Sequence, residues 1–529
     1  MKLKRICLLS VVSSALLGTF ATAQDFDASI IGDPFYEGQS GGISAWSMRT
    51  TSCNVGNVVV QWNDGAGNAP VIATSMYRVA NGRFEHLGSG WLKYSFCAVN
   101  EGSCGSCQGT DCNTLGVGCA DTYGSSLNDG ANGGGGKWQI PPTTGGWVFP
   151  GPRVTSSGPL PLRGRINTEI ALVTEAGATV IMEAHYISEH DQMAGNARNN
   201  ASWRYANVNS ATSMSNNGGT RRGDPAIFAW QDIDPDVTIE EVVVLNEGAI
   251  GVHGYHFLGY NATQIDATHW RYEYAVTNFN SDRGMGAFEI PLGCDIAPDI
   301  TDLYYYKADH HSGDARNNLD WNVTIGPDTI RWEAAETFAQ NEFANSNWWD
   351  ETITVGFTAD MPPAMVQASI VPFKPGGITL VATVEGPCGG PICGTEQFCV
   401  ISPNSSGPGC SIGSAGSTSI GANTFKLTAT GATPGAFGLF FYGPNEVQVA
   451  FGDGFRCVGG MTQRLQGPVQ ISAGGSVARG VDFTAAPVSG GAGLIEAGDT
   501  RSFQFWFRDN AAGLSGFNLS DGLTVTFCP

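Results

Sequence analysis

Apolar and polar residues alternate with a period of two through much of the chain. Residues 270–276 set Trp270, Tyr272, Tyr274 and Val276 against Arg271, Glu273 and Ala275, which predicts a strand with one buried and one wet face. Residues 503–508 and 523–527 do the same, and 237–245 and 353–357 are further candidates. Runs with the 3.6-residue helical period do not exceed about three turns. Turn clusters punctuate the strands: Asn63, Asp64 and Gly65; Asn81 and Gly82; Asn216 to Gly219; Gly474 and Gly475. Asn81-Gly82 lies between residues 76–79 and 84–87 and predicts a hairpin, because both central positions of a type I′ turn need positive φ.

The expected fold class is all-β: a multi-domain β-sandwich protein, disulfide-stapled, with long irregular loops. Residues 24–385 form a large β-rich region, with room for two sandwiches divided near 230–250. Prolines thin the pattern before a Cys/Gly/Pro-rich linker at 386–416. Residues 417–529 carry about seven short strands, the spacing expected of a C-terminal sandwich. Residues 108–161 lack any pattern and centre on glycines 133–136. So long a loop either covers a site or pads the surface, and padding pinned by Cys112 and Cys119 is the expectation.

The first residues predict export. Lys2, Lys4 and Arg5 precede an apolar run at 6–20, and Ala21-Thr22-Ala23 offers a small-x-small cleavage site. Residues 1–23 therefore read as a signal peptide, with Gln24 the new N-terminus and a secreted or cell-surface destination. The run is short of the ~20 residues a membrane span needs. Losing three cations with the leader takes the formal charge from −21 to −24, which repels phosphate backbones and disfavours nucleic acid as a partner. Seventy-two glycines and 26 prolines without collagen periodicity imply many turns.

Of 14 cysteines, Cys7 leaves with the leader, and an odd thirteen remain in a compartment that favours disulfides. Cys399 with Cys410, and Cys457 with Cys528, are the expected bridges. Cys104, Cys107, Cys112 and Cys119 have some zinc character, but the spacing lacks a second CxxC pair.

Several segments resemble a group of large secreted β-rich proteins of planctomycete-like Gram-negative bacteria. They are residues 76–85, 90–93, 115–119, 199–204, 272–278, 280–283 and 311–313, with Asp320 and Trp321 downstream. Residues 440–443, 452–460, 497–500 and 503–506 are similar to a C-terminal module found on varied exported bacterial proteins. The resemblance implies an extracellular β architecture and a portable surface or sorting domain. It supplies no catalytic residues.

No Gly-x-Ser-x-Gly elbow, His-Glu-x-x-His, phosphate-binding glycine loop or EF-hand is present. Residues two apart share a strand face, which pairs Glu183 with His185 and Asp309 with His311. Were those segments to meet, two imidazoles and two carboxylates could hold iron, zinc or manganese or do acid–base work. Trp348, Trp349 and Tyr305, with Trp321 and Trp332 nearby, are candidate platforms for sugar faces, and Arg316, Asn317 and Asn318 could bind hydroxyls. Core packing is the competing use of those rings. Asp232, Asp234 and Asp236, or Asp295 with Asp299, offer oxygen ligands to Ca2+. The expected function is a non-catalytic secreted or cell-surface protein that binds glycans or another surface polymer, or has a structural role. The alternative is a secreted metal-dependent enzyme acting on extracellular polysaccharide.

Overall fold

The structure is a computed structural model that describes residues 24–129, 134–147, 151, 155–249, 251–292, 298–387, 394–511 and 513–527. The leader expected at 1–23 lies outside the described residues. So do Asp295, the glycine at 133, and Cys294, Cys388, Cys393 and Cys528.

The chain is almost entirely β, and every named strand pairing is antiparallel. The first sheet holds the hairpin Phe26–Ser40 and Ile43–Asn54, with Ala120–Tyr123 and Ile166–Glu169 beside its second strand. The second runs Ser213–Arg222, Ala201–Ser210, Thr179–Ile187, Val71–Ala80, Arg83–Ser89. The third runs Thr238–Val244, Gly254–Gln264, Trp270–Asn278, Glu351–Ala359, Ile300–Lys307. The fourth runs Asn322–Ile325, Thr329–Glu333, Met285–Pro291, Pro363–Pro372, Leu380–Pro387.

Side-chain alternation stacks these sheets in four layers. From the second sheet, Ile72, Met76, Met182 and Tyr186 pack on Phe26, Trp46 and Met48 of the first. Their neighbours Tyr77, Val79 and Ile181 point the other way, onto Phe257 and Ala275 of the third sheet and Trp230. From the third, Tyr272, Tyr274, Val355 and Phe357 pack on Phe288, Trp332, Val366 and Ile370 of the fourth.

Stacking explains where alternation misleads. Glu273 and Ala275 were expected on a wet face, yet both are buried, as is Thr277 beyond them, because the third sheet is covered on both sides. The inner face of such a sheet takes small and polar residues and reads in the sequence like a surface.

Asn81 and Gly82 have φ of 53° and 76° and join Val71–Ala80 to Arg83–Ser89 as the type I′ signal predicts. Asn216 to Gly219, expected to turn, instead lie inside Ser213–Arg222, where the pairing register shifts opposite Trp203 and Tyr205. Glycines mark bulges as well as turns. The segment expected as a linker at 386–416 also carries structure. Gly394–Phe398 pairs with Phe517–Thr526, and Ser411–Ala415 with Lys426–Thr430, so both strands belong to the C-terminal sandwich. Strands of five residues are too short for alternation to show through Gly, Pro and Cys. The core of this unit holds Ile412, Phe425, Leu427, Phe440, Phe503, Phe505 and Val525.

Four disulfides are described: Cys53–Cys104, Cys97–Cys112, Cys107–Cys119 and Cys399–Cys457. The first three lace the loop before Ala120–Tyr123 and consume all four cysteines with zinc character. The expected Cys399–Cys410 and Cys457–Cys528 bridges are corrected. Cys399 follows its strand at φ 69° and meets Cys457 with Cα atoms 6.1 Å apart, well within bridging range. Cys410 is a free thiol in the core. Among the described residues no helix is long and apolar enough to cross a membrane.

Candidate functional site

The polar residues of the chain's middle converge between the second and third sheets. Glu183 and His185 project there from Thr179–Ile187, Ser75 and Tyr77 from Val71–Ala80, and His86 and Ser89 come from Arg83–Ser89. Asp350 and Glu351 enter from the opposite side, at the start of Glu351–Ala359. Asp350 has φ 58°, a costly conformation for a non-glycine residue. Its amide donates to Asn278 O at 2.6 Å, which turns the carboxylate inward.

Three side chains donate four hydrogen bonds to Asp350. His185 Nδ1 donates to Oδ1 at 3.1 Å, and Ser75 Oγ donates to Oδ2 at 3.1 Å. Lys137 Nζ donates to Oδ2 and, at 3.0 Å, to the main-chain oxygen. Burial pushes the Asp350 carboxyl up, but Lys137 and His185 outweigh it and hold the group below the usual carboxylate range. Glu183 goes the other way: burial and then the Asp350 charge raise it. Tyr77 Oη donates to it at 3.1 Å, as does the Ala226 amide.

A second cluster adjoins the first. Glu351 takes Arg316 at 2.6 Å, Lys307 at 2.9 Å and His310 at 3.0 Å. Arg316 also pairs with Asp314 at 2.8 Å. Burial opposes ionisation of Glu351, yet Arg316 and Lys307 hold it well below its ordinary value. Across both clusters three cations (Lys137, Lys307, Arg316) meet three ionised carboxylates (Asp314, Asp350, Glu351), and Glu183, pushed up to about 8, adds no charge at neutral pH.

Ser89 beside His86 has the look of a nucleophile and its base, at 2.9 Å. The proton directions rule that out. Thr352 N donates to His86 Nδ1 at 3.3 Å, so the neutral ring carries its proton on Nε2 and donates it to Ser89 Oγ. Burial and Lys137 push His86 down to about 3. Lys137 Nζ donates to the same Oγ at 2.8 Å. The one proton of Ser89 is left to point at Ser75 Oγ, 2.9 Å away, whose own proton goes to Asp350. No base is free to take it.

The expected metal set is corrected. His185 is stacked on Phe279 with ring centroids 4.1 Å apart and donates to Asp350. His311 donates Nε2–H to Ser89 O and accepts from Ser312 Oγ, both at 2.8 Å, so neither ring nitrogen is open. Asp309 is exposed. The strand argument fails there because Ile300–Lys307 ends first and the two-residue period with it. Among the described residues no three His, Cys, Asp or Glu side chains are grouped to hold a metal ion. Of the calcium candidates, Asp232 accepts from Tyr205 Oη at 2.8 Å, and Asp234 from Asn261 Nδ2 at 3.0 Å and the Asp236 amide at 3.1 Å. Asp299 uses its amide on Asp360.

The aromatic platform is corrected too. Trp348 and Trp349 are 6% and 2% exposed, and their indoles donate to Ala344 O and Lys137 O at 3.1 and 2.9 Å. Tyr305 lies half-buried against Trp321. The chain dives between layers here, so consecutive rings are buried on opposite sides.

A cavity beside this network is lined by His86, Ser89, Lys137, His311, Arg316 and Glu351 and measures about 30 Å³. That is room for one or two waters and far too little for a sugar ring. Lys137, which bonds Asp350 and Ser89, comes from the 108–161 stretch expected to be padding. Its flanking glycines hid it; Asp350 and Glu351, an acidic pair opening an apolar strand, were the better signal.

No family model matches the chain, and no curated protein does. Among solved structures, that of Salmonella alpha-2-macroglobulin reacted with methylamine aligns over 96% of this chain and 33% of that one. The identity is 8% and the TM-score 0.13. The chain spans about a third of that protein's length, and a likeness this weak carries no argument.

Proposed function

We propose that the chain is an exported, non-catalytic protein that works at or outside the cell surface. It acts through its outer faces, in a structural role or by binding surface polymers such as glycans. One observation carries this reading: its most polar interior region is a charge-compensated, hydrogen-bonded clamp between two sheets, with space only for water. Buried networks of this kind fix one arrangement of packed layers. An active site instead opens onto a cleft of substrate size. The disulfides fit an oxidising compartment, and the acidic surface fits partners other than nucleic acid.

The test uses purified mature protein on polysaccharide, glycoside and ester substrates, alongside sedimentation with insoluble cell-surface polymer. Co-sedimentation without product release is the expected result. Turnover that Ser89→Ala or His185→Ala abolishes, with the fold unchanged by circular dichroism, overturns the reading. Recovery of the protein reduced and in the cytosol overturns the export half of it.

A further inference from the structure

The geometry points to an intramolecular isopeptide bond between Lys137 Nζ and Asp350 Cγ, a covalent cross-link from the long irregular segment to the start of a central strand. This goes beyond the surface reading and does not depend on it.

Four observations place the reactants. Lys137 Nζ donates to both the side-chain Oδ2 and the main-chain oxygen of Asp350, so the nitrogen sits against the carboxyl group. The two side chains are 3% and 2% exposed, walled by Trp349 and by the Phe279–His185 stack. The pair rests as ammonium and carboxylate, held so by Lys137 and His185 against burial, so the reactive neutral amine and acid form by proton transfer within the pair. Trp349 Nε1 donates to Lys137 O at 2.9 Å, which ties the Lys137 main chain to the side chain next to Asp350 and makes the encounter effectively unimolecular. His185 Nδ1–H is aimed at Oδ1, where charge develops when the carbonyl is attacked.

The atoms balance without a co-reactant. A proton passes from the ammonium to Oδ2, and the freed lone pair forms the Nζ–Cγ bond. His185 stabilises the negative Oδ1 of the tetrahedral intermediate. The Cγ–Oδ2 bond then breaks, and Oδ2 leaves as water with two protons that began on Nζ. The third proton stays on the amide nitrogen. The adjoining cavity, lined by Lys137 and Ser89, is of the size to take the water.

The product would hold the irregular segment around Lys137 to the start of Glu351–Ala359 across 213 residues of sequence. His185 acts in this step as the group that polarises the carbonyl, which gives a use to an imidazole that binds no metal set.

Mass spectrometry of the intact mature protein decides. The expected mass is lower, by one water, than sequence and disulfides require. The proteolytic map should contain a branched peptide joining Lys137 to Asp350, with no tryptic cleavage after Lys137. Lys137→Arg should restore the missing water. A full mass with a linear peptide carrying a free Lys137 amine overturns the proposal, as does a water deficit that persists in Lys137→Arg. Masses and maps are read on denatured protein, so a poorly folding variant does not blunt the wild-type result.

Discussion

Arg316 and Glu351 meet at 2.6 Å with side chains only 4% and 7% exposed. Lys307 shares the same carboxylate at 2.9 Å, so Glu351 serves two buried cations, of which Arg316 also pairs with Asp314. Removing one partner of a buried pair leaves a desolvated charge behind, which costs about 3–5 kcal/mol. Glu351→Gln should therefore lower the urea midpoint strongly, with an unchanged m-value. A loss below about 1 kcal/mol, the scale of a surface pair, would mean that water reaches this cluster.

The same carboxylates set one limb of the pH dependence. Glu351 is held well below its ordinary 4.5, so its contribution is present above the unfolded value and fades as pH falls through the folded one. Asp191 has the opposite sign. Burial, opposed by Asn200 and reinforced by Asp25, pushes it up to about 8 from 3.8. The unfolded chain releases that proton first, so stability drops as pH climbs between those two values. Taken together, the two limbs put the highest stability at about pH 4. Asp191→Asn should match the wild type near pH 4 and exceed it at about pH 8, by on the order of 5 kcal/mol. A difference that does not change with pH across this range would show that Asp191 is ionised in the fold.

The β class was legible because alternation survives wherever one face differs in polarity from the other, as along residues 270–276. The four-layer stack was not, since Glu273 and Thr277 look the same to a pattern whether water or another sheet faces them. Pairing Glu183 with His185 on one face was sound, and both do point at the third sheet. Extending the rule to Asp309 and His311 failed because it presumes a strand beyond Lys307. Lys137 was hidden for a different reason. Its position depends on a loop path fixed by Trp349 and Asp350, more than 200 residues away, and no local signal encodes such a path.

Cys399 and Cys457 close a loop of 58 residues that ties the first strand of the C-terminal sandwich to its exposed hairpin. The chain-entropy model gives such a loop ~4 kcal/mol. Replacing both cysteines with serine should lower the unfolding midpoint of this unit and leave the four-layer stack as it was. Limited proteolysis separates the two: cleavage should begin within 394–460 in the variant. Unchanged protease resistance there would assign the stability to the aromatic core around Phe440, Phe503 and Phe505 instead.

Cys410 is fully buried among Ile412, Phe425 and Leu427, and burial with the nearby Asp521 charge pushes its thiol up to about 12. The thiolate is the reactive form, so both protonation and access protect this residue in the native state. Iodoacetamide at pH 8 should leave Cys410 unmodified in folded protein and alkylate it fully in denaturant, read by peptide mapping. Cys410→Ser should destabilise by about 1–3 kcal/mol, because a hydroxyl is put where no hydrogen-bond partner waits. Rapid native alkylation would require the edge formed by Ser411–Ala415 to open readily. In that case Cys399–Cys457, which holds the preceding strand, would be the element that keeps the terminal sandwich closed.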